Sequence, residues 1–342
     1  MILKYLIPFI SSFLLSVLLM IAAVYFSKKI KWKGRESGRH IHKKGTPRIG
    51  GVVMIIVFVS VVLLNNDLFI TPEICGVIAA LLIMMVVGIW DDLREVYWKI
   101  QLFFQIAISI LIFIFGVRIY YVTNPLTGGI LNLDSGIGVL ISITLVIFWI
   151  ILIINSINWI DGIDGLSGGV VLIAACTIFF LSLKTEVNQP PIAILASIFS
   201  GVVLGFLIFN INPAKAMAGT SGSVFMGFIL AVLAIIAGTK IATMLLVMAI
   251  PVIDFLWVVG ERISHKKSIF RPDRRHLHYK LIELGWSEKK IAYWYWGATF
   301  LISLVALNTR AIGKGITLTA AVAIILLTLF VINRRIKCNG AK

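Results

Sequence analysis

Long apolar stretches separated by short polar ones run through the whole 342-residue chain. A helix that crosses a bilayer needs roughly 20 apolar residues, with a range of about 17–25. On that measure the pattern predicts spans near residues 3–26, 49–64, 72–90, 100–119, 137–156, 167–183, 191–210, 222–238, 240–258, 291–308 and 314–333. That makes eleven, with ten as the alternative because the gap at Gly238-Thr239-Lys240 is so short. The first stretch is apolar for too long to be a leader and is followed by Lys28, Lys29, Lys31 and Lys33, so it reads as a span. The expected fold is all-α: a single polytopic membrane bundle over residues 1–342. Its polar loops near 27–48, 91–99, 157–166, 211–221 and 259–290 all emerge on one side.

Composition narrows the class. The chain is 60% hydrophobic and 13% charged, with a mean hydropathy of +1.03. A water-soluble globule would expose too much apolar surface at these values, and a disordered chain would hold far less. The net charge is +16, and its placement matters more than its size. Of the 31 Lys and Arg, 25 fall on the side of those loops and the C-terminal tail. The positive-inside rule then predicts a cell-membrane protein with its N-terminus outside and its C-terminus in the cytoplasm. It also accounts for the charge without nucleic acid as a partner. Cys75, Cys176 and Cys338 are far apart and odd in number, which argues against a disulfide framework or a zinc knuckle.

The same side holds the candidate chemistry. Eleven of the fifteen acidic residues and all five histidines lie on or near it, which predicts one cytoplasmic site built from several loops. Asp91 and Asp92 are adjacent at the end of a span, with Lys99 following. Two neighbouring carboxylates repel, and either a divalent cation or a solvated helix end beside Arg94 would relieve them. Asn155, Asn158, Asp161 and Asp164 recur every third residue, which on a continuous helix reads as a face shared by each neighbouring pair of the series. No Lys or Arg in that loop is available to pair with them. A third cluster runs from Asn210 and Asn212 through Lys215 to Gly219-Thr220-Ser221-Gly222-Ser223, where a Gly/Ser-rich turn entering a helix can offer N–H groups to phosphate. A fourth carries Arg262, Lys266, Lys267, Arg271, Asp273, Arg274, His276 and His278. It suits an anionic ligand, although its Lys and Arg alone would equally touch acidic headgroups. The first loop adds Lys43, Arg48, Gly50 and Gly51.

In that order the motifs resemble the polyprenyl-phosphate N-acetylhexosamine-1-phosphate transferases, which include phospho-N-acetylmuramoyl-pentapeptide transferase. The resemblance rests on Lys43-Lys44-Gly45-Thr46-Pro47-Arg48-Ile49-Gly50-Gly51, Asp91-Asp92 with Lys99, Asn155-x-x-Asn158-x-x-Asp161-Gly-x-Asp164-Gly-Leu, Asn210 through Lys215 to Gly222-Ser223, and Pro272-Asp273-Arg274-x-His276-Leu-His278. The last motif is nearer the branch that transfers N-acetylglucosamine-1-phosphate, while Gly285-Trp286-Ser287-Glu288 also occurs in the muramoyl-pentapeptide branch. The resemblance implies that a UDP-N-acetylhexosamine gives its sugar-1-phosphate to polyprenyl (undecaprenyl) phosphate, releasing UMP with Mg²⁺, or Mn²⁺ in its place. It further implies catalytic roles for Asp91, Asp92, Asp161 and Asp164. Substrate contacts would come from Lys43, Lys99, Asn155, Asn158, Asn210, Lys215, Asp273, Arg274, His276 and His278, and metal contacts from Asn158, Asp161 and Asp92. A homodimer is expected on the same ground.

One departure stands out. The family pattern is Gly-Asp-x-Gly-Ser with the Asp on the metal, and here that position is Thr220. Either another carboxylate substitutes, or the chain is a weakened or inactive homologue that keeps the pocket, or the residue is altered in an otherwise active protein. A transporter is the remaining rival, disfavoured because Asp254 is the main ionisable residue within a span.

Overall fold

The computed structural model describes residues 2–29, 46–123, 129–238, 241–268, 275–309 and 311–339. Lys43, Asp273 and Arg274 fall outside these. The described residues form thirteen helices and one short hairpin: α1 (Leu3–Lys29), α2 (Gly50–Leu64), α3 (Pro72–Leu93), α4 (Trp98–Ile114), β1 (Tyr121–Thr123), β2 (Ile130–Asn132), α5 (Ile137–Ile160), α6 (Leu166–Ser182), α7 (Pro190–Asn210), α8 (Gly219–Ile236), α9 (Ile241–Val247), α10 (Ala249–Ser264), α11 (Leu277–Glu283), α12 (Glu288–Asn308) and α13 (Ala311–Asn339). Eight are long and apolar enough to cross a membrane, and α2 and α4 are shorter apolar helices. The protein is a multi-pass helical membrane protein.

Every expected span contains a helix, but the ninth is not continuous. The run read as 240–258 breaks at Met248, and α9 and α10 meet at 79°. Pro251 supplies a reason: in a continuous helix it could not donate to the Val247 carbonyl, and its ring would press on that carbonyl. The antiparallel β1–β2 hairpin, with Tyr121 opposite Asn132, lies where only a loop was expected. α11 is likewise a seven-residue helix inside the 259–290 loop.

Helices α6, α7 and α8 form the most buried part of the bundle. Without a hydrophobic force between helices in lipid, close backbone approach has to hold them together. Gly201 and Gly205 of α7 give α1 that approach. A Cβ on Gly201 would stand 2.1 Å from Ser12 Oγ and 2.4 Å from the Phe9 carbonyl, and one on Gly205 2.6 Å from Ser16 Cβ. The Ser16 hydroxyl adds a hydrogen bond to the Val202 carbonyl at 3.0 Å. The start of α8 is gripped in the same way by Gly51 of α2 and Gly88 of α3, where a Cβ would meet Gly222 N at 2.1 Å and Ser221 Cα at 2.5 Å. Just before α2, Arg48 pairs in parallel with Met217. The N–H groups of Gly50 and Gly51 donate to the carbonyls of Met217 and Ala218 at 3.0 and 2.9 Å. The segments around residues 48 and 218 are thereby fixed side by side.

Candidate active site

The ends of α3, α5 and α7 and the starts of α2, α6, α8, α11 and α12 supply the candidate polar residues, so the separate sequence clusters are built from neighbouring helix ends. Asp91 and Asp92 close α3. Asp92 is buried and acts as the anion at the start of α8. Its Oδ1 accepts the Thr220 N–H at 2.9 Å, and its Oδ2 accepts from the Ser221 hydroxyl at 3.2 Å and the Ser221 N–H at 3.4 Å. A carboxylate at a helix N-terminus is favourable because unpaired N–H groups and the positive dipole end face it. Arg48 Nη1 stands 3.8 Å from Asp92 Oδ1. The N–H groups that the sequence offers to a phosphate are therefore engaged by Asp92. Gly219, with φ +70°, permits this approach, since a Cβ there would stand 2.5 Å from Asp92 Oδ2.

Asp91 is held equally closely. Its Oδ1 accepts from the Val96 N–H and from Gln101 Nε2, both at 2.9 Å, and its Oδ2 accepts the Thr220 hydroxyl at 2.5 Å. Thr220 thus touches both carboxylates of the pair. From there hydrogen bonds lead to α5: Ser223 Oγ lies 3.1 Å from the Gly219 carbonyl, and Asn158 Nδ2 donates to Ser223 Oγ at 2.8 Å.

The expected run of paired faces through Asn155, Asn158, Asp161 and Asp164 is not formed. α5 ends at Ile160, so Asp161 is its C-cap and Asp164 lies in the turn beyond. Within α5 the two amides also diverge. Asn155 Nδ2 donates to Gln105 Oε1 of α4 at 2.9 Å, whereas Asn158 reaches α8. Asp161 accepts the Ser167 hydroxyl from the first turn of α6. Asp164 Oδ2 accepts the Ala214 N–H at 2.9 Å and Asn212 Nδ2 at 3.1 Å, and the same amide nitrogen reaches Glu288 Oε2 at 3.1 Å. Asn210 is buried and staples two turns, accepting the Gly165 N–H at 3.0 Å and donating to the Ala216 carbonyl at 3.1 Å. Asn155 and Asn210 are thus both engaged within the fold. Lys215 is exposed, and Lys99 is exposed with its ammonium 5.9 and 5.7 Å from the rings of Tyr97 and Trp98.

The turn at 161–165 rests on the His-x-His segment. A Cβ on Gly162 would stand 3.1 Å from His278 Nε2 and 2.7 Å from the Tyr279 hydroxyl. His278 is fully buried, both of its ring nitrogens lack hydrogen-bond partners among the described residues, and it stacks parallel to His276 at 5.7 Å. Burial first, and the neighbouring His276 second, push its pKa down to about 3, so it is neutral at physiological pH. His276 Nδ1 lies 2.9 Å from Asp254 Oδ2 of α10, and its ring meets the edge of Trp159 at 5.0 Å. Arg262, read from sequence as one of the anion-binding basic residues, is buried with its guanidinium 4.8 Å over Trp159. Asn212 and Ser223 lie in the third sequence cluster and Glu288 in the Gly-Trp-Ser-Glu stretch, but sequence reasoning assigns none of the three a role, and Asp254 reads only as an ionisable side chain within an apolar span.

For a divalent ion the donor set is poor. Among the described residues, no three His, Cys, Asp or Glu side chains gather to hold a metal. Thr220 is neutral, and its hydroxyl is directed to Asp91. The residues described do not fit a protein-caged magnesium, which prefers an octahedron of oxygens.

Comparison with known proteins points to the same family. The profile of Glycosyl transferase family 4 matches residues 74–238. A Bacillus subtilis protein named "Probable undecaprenyl-phosphate N-acetylglucosaminyl 1-phosphate transferase" is 27% identical over 88% of this chain and 85% of its own. The phospho-N-acetylmuramoyl-pentapeptide-transferase of Bacillus pumilus is 32% identical over 87% of this chain and 95% of its own. The decaprenyl-phosphate N-acetylglucosaminephosphotransferase of Mycobacterium tuberculosis is 28% identical over 83% and 79%. With Asp91-Asp92, the Asn158–Asp164 turn and the α8 entry joined at adjoining helix ends, the chain belongs to glycosyl transferase family 4, the polyprenyl-phosphate N-acetylhexosamine-1-phosphate transferases.

Proposed function

We propose that the protein transfers N-acetylglucosamine-1-phosphate from UDP-N-acetylglucosamine to polyprenyl phosphate. An oxygen of the lipid phosphate forms a bond to the β-phosphorus of the nucleotide sugar. The bond from that phosphorus to the bridging oxygen breaks, and its electron pair leaves with UMP. Such a transfer demands positioning and charge neutralisation more than covalent chemistry from the protein. The observation that carries the reading is the run of contacts from Asp91 and Asp92 through Thr220 and Ser223 to Asn158, three residues before Asp161. Arg48 beside Asp92, with Lys43 and Arg274, supplies positive charge for the phosphates. Magnesium, or manganese in its place, enters this proposal as the ion that travels with the substrate's diphosphate. The relatives include both the N-acetylglucosamine and the muramoyl-pentapeptide branches. Pro272-Asp273-Arg274-x-His276-Leu-His278 favours the former.

Purified protein given UDP-N-acetylglucosamine, undecaprenyl phosphate and Mg²⁺ is expected to release UMP and form lipid-linked sugar. UDP-N-acetylmuramoyl-pentapeptide as the better donor would reassign the branch. Asp161→Asn, nearly isosteric, is expected to lower the rate by about 100-fold or more while the detergent-solubilised protein keeps its melting temperature. An unchanged rate removes Asp161 from the machinery.

The same proposal places the site in the cytoplasm, the N-terminus outside and the C-terminus inside, with a homodimer as the assembly. Charge asymmetry supports the orientation. Cys338, as the sole cysteine of an otherwise cysteine-free variant, is expected to resist a membrane-impermeant maleimide in intact cells and to react after permeabilisation. Labelling of intact cells reverses the orientation.

A second reading is favoured by Thr220 itself. With a hydroxyl bonded to Asp91 where the family pattern has a carboxylate, the chain would bind lipid phosphate or nucleotide sugar without turning it over. Binding of UDP-N-acetylglucosamine without UMP release at any magnesium concentration would select this reading.

A further inference from the structure

A carboxylate inside an apolar span is costly unless it is paired and has a use. Asp254 is wholly buried in the first turns of α10, just past the break at Met248. Both of its oxygens are engaged by one short segment. Oδ1 accepts the Leu277 N–H at 2.8 Å, and Oδ2 meets His276 Nδ1 at 2.9 Å. The imidazole between them is 5% exposed, edged by Trp159 and stacked on the neutral His278. A ring held on three sides has little freedom to turn. Because the carboxylate can only accept, its partner nitrogen has to carry the proton.

We infer that Asp254 is a positioning residue: it fixes the imidazole of His276 as the Nδ1–H form, which leaves Nε2 as the ring's acceptor, the nitrogen able to take a hydrogen bond or a proton from a hydroxyl or N–H of the bound substrate. The Leu277 contact fixes where the segment sits, and the His276 contact fixes which ring nitrogen acts. This rests on the transferase reading for the identity of the ligand, but the tautomer itself does not depend on it.

Asp254→Asn separates the two contacts. The amide oxygen still accepts the Leu277 N–H. The amide nitrogen now donates to Nδ1 and drives the proton to Nε2. An equivalent exchange in a Ser-His-Asp triad leaves the geometry intact and lowers kcat by about 10⁴ through the wrong tautomer. Protein labelled with ¹⁵N-histidine, with the His276 signals identified by their loss in His276→Gln, is expected at pH 8 to show the proton on Nδ1 in the wild type and on Nε2 in Asp254→Asn. In the UMP-release assay kcat is expected to fall by about 100-fold or more with little change in KM for UDP-N-acetylglucosamine, and Asp254→Glu to recover part of it. An unmoved proton overturns the inference, as does a moved proton with unchanged kcat. If neither wild type nor Thr220→Asp releases UMP, the transferase reading fails. The spectra then decide the Asp254 assignment alone.

Discussion

Thr220→Asp is expected to raise UMP release by about 100-fold or more, the scale on which one preorganised charge-stabilising group acts in a transition state. The physical reason lies in what Thr220 touches. Its hydroxyl donates to Asp91 Oδ2 at 2.5 Å and its N–H to Asp92 Oδ1 at 2.9 Å. A carboxylate in its place would stand against two others at the entry of α8. Three such groups repel unless a divalent cation lies among them, so the variant creates the oxygen cluster that the present residues lack. A second, independent readout follows. The melting temperature of Thr220→Asp should climb with added MgCl₂, whereas the wild type should not respond. A ligand at 100 times its Kd contributes about 2.7 kcal/mol. Equal turnover by both forms would mean that threonine is no handicap here. A magnesium-stabilised variant that still releases no UMP would show the ion site restored and the substrate misassigned.

Gly51→Val is expected to produce the largest loss of stability. A Cβ at residue 51 would stand 2.1 Å from Gly222 N and 2.6 Å from Gly222 Cα, which are backbone atoms that no rotamer change can move away. Overpacking of this kind typically costs about 1–3 kcal/mol and more where backbones collide. The strain falls on the first turn of α8, which holds Asp92 through Thr220 and Ser221. Thermal melting in detergent should drop by many degrees, and any nucleotide-sugar binding should weaken with it. A variant that melts like the wild type would mean that α2 and α8 are not packed backbone to backbone.

The sequence carried the bundle well because span-length apolar runs have few other uses. The eleven expected stretches each contain a helix, since hydropathy reports on the solvent rather than on tertiary contacts. Hydropathy is blind to the break at Met248, where both halves are apolar; Pro251 was the available signal. The three-residue recurrence from Asn155 to Asp164 was legible as spacing but not as geometry. It runs across the end of α5, after which a helical period no longer says which way a side chain points. Asn155 and Asn210 show the same limit from another side. Both sit in the polar clusters, yet their partners are Gln105 and the turns at Gly165 and Ala216. The pairing of Asp254 with His276 crosses two elements and 22 positions. Nothing local foretells which histidine a buried carboxylate will choose.

The glycine seam between α1 and α7 has a bearing on biogenesis. α1 ends at Lys29 and α7 at Asn210, so the first helix leaves the ribosome well before its partner exists. At about 5–20 residues per second the wait is roughly ten to forty seconds. During it the serine-bearing face of α1 has to be sheltered by lipid, by the insertion machinery or by α2, another helix it packs against. Insertion of α1 and its docking on α7 are therefore events separated in time.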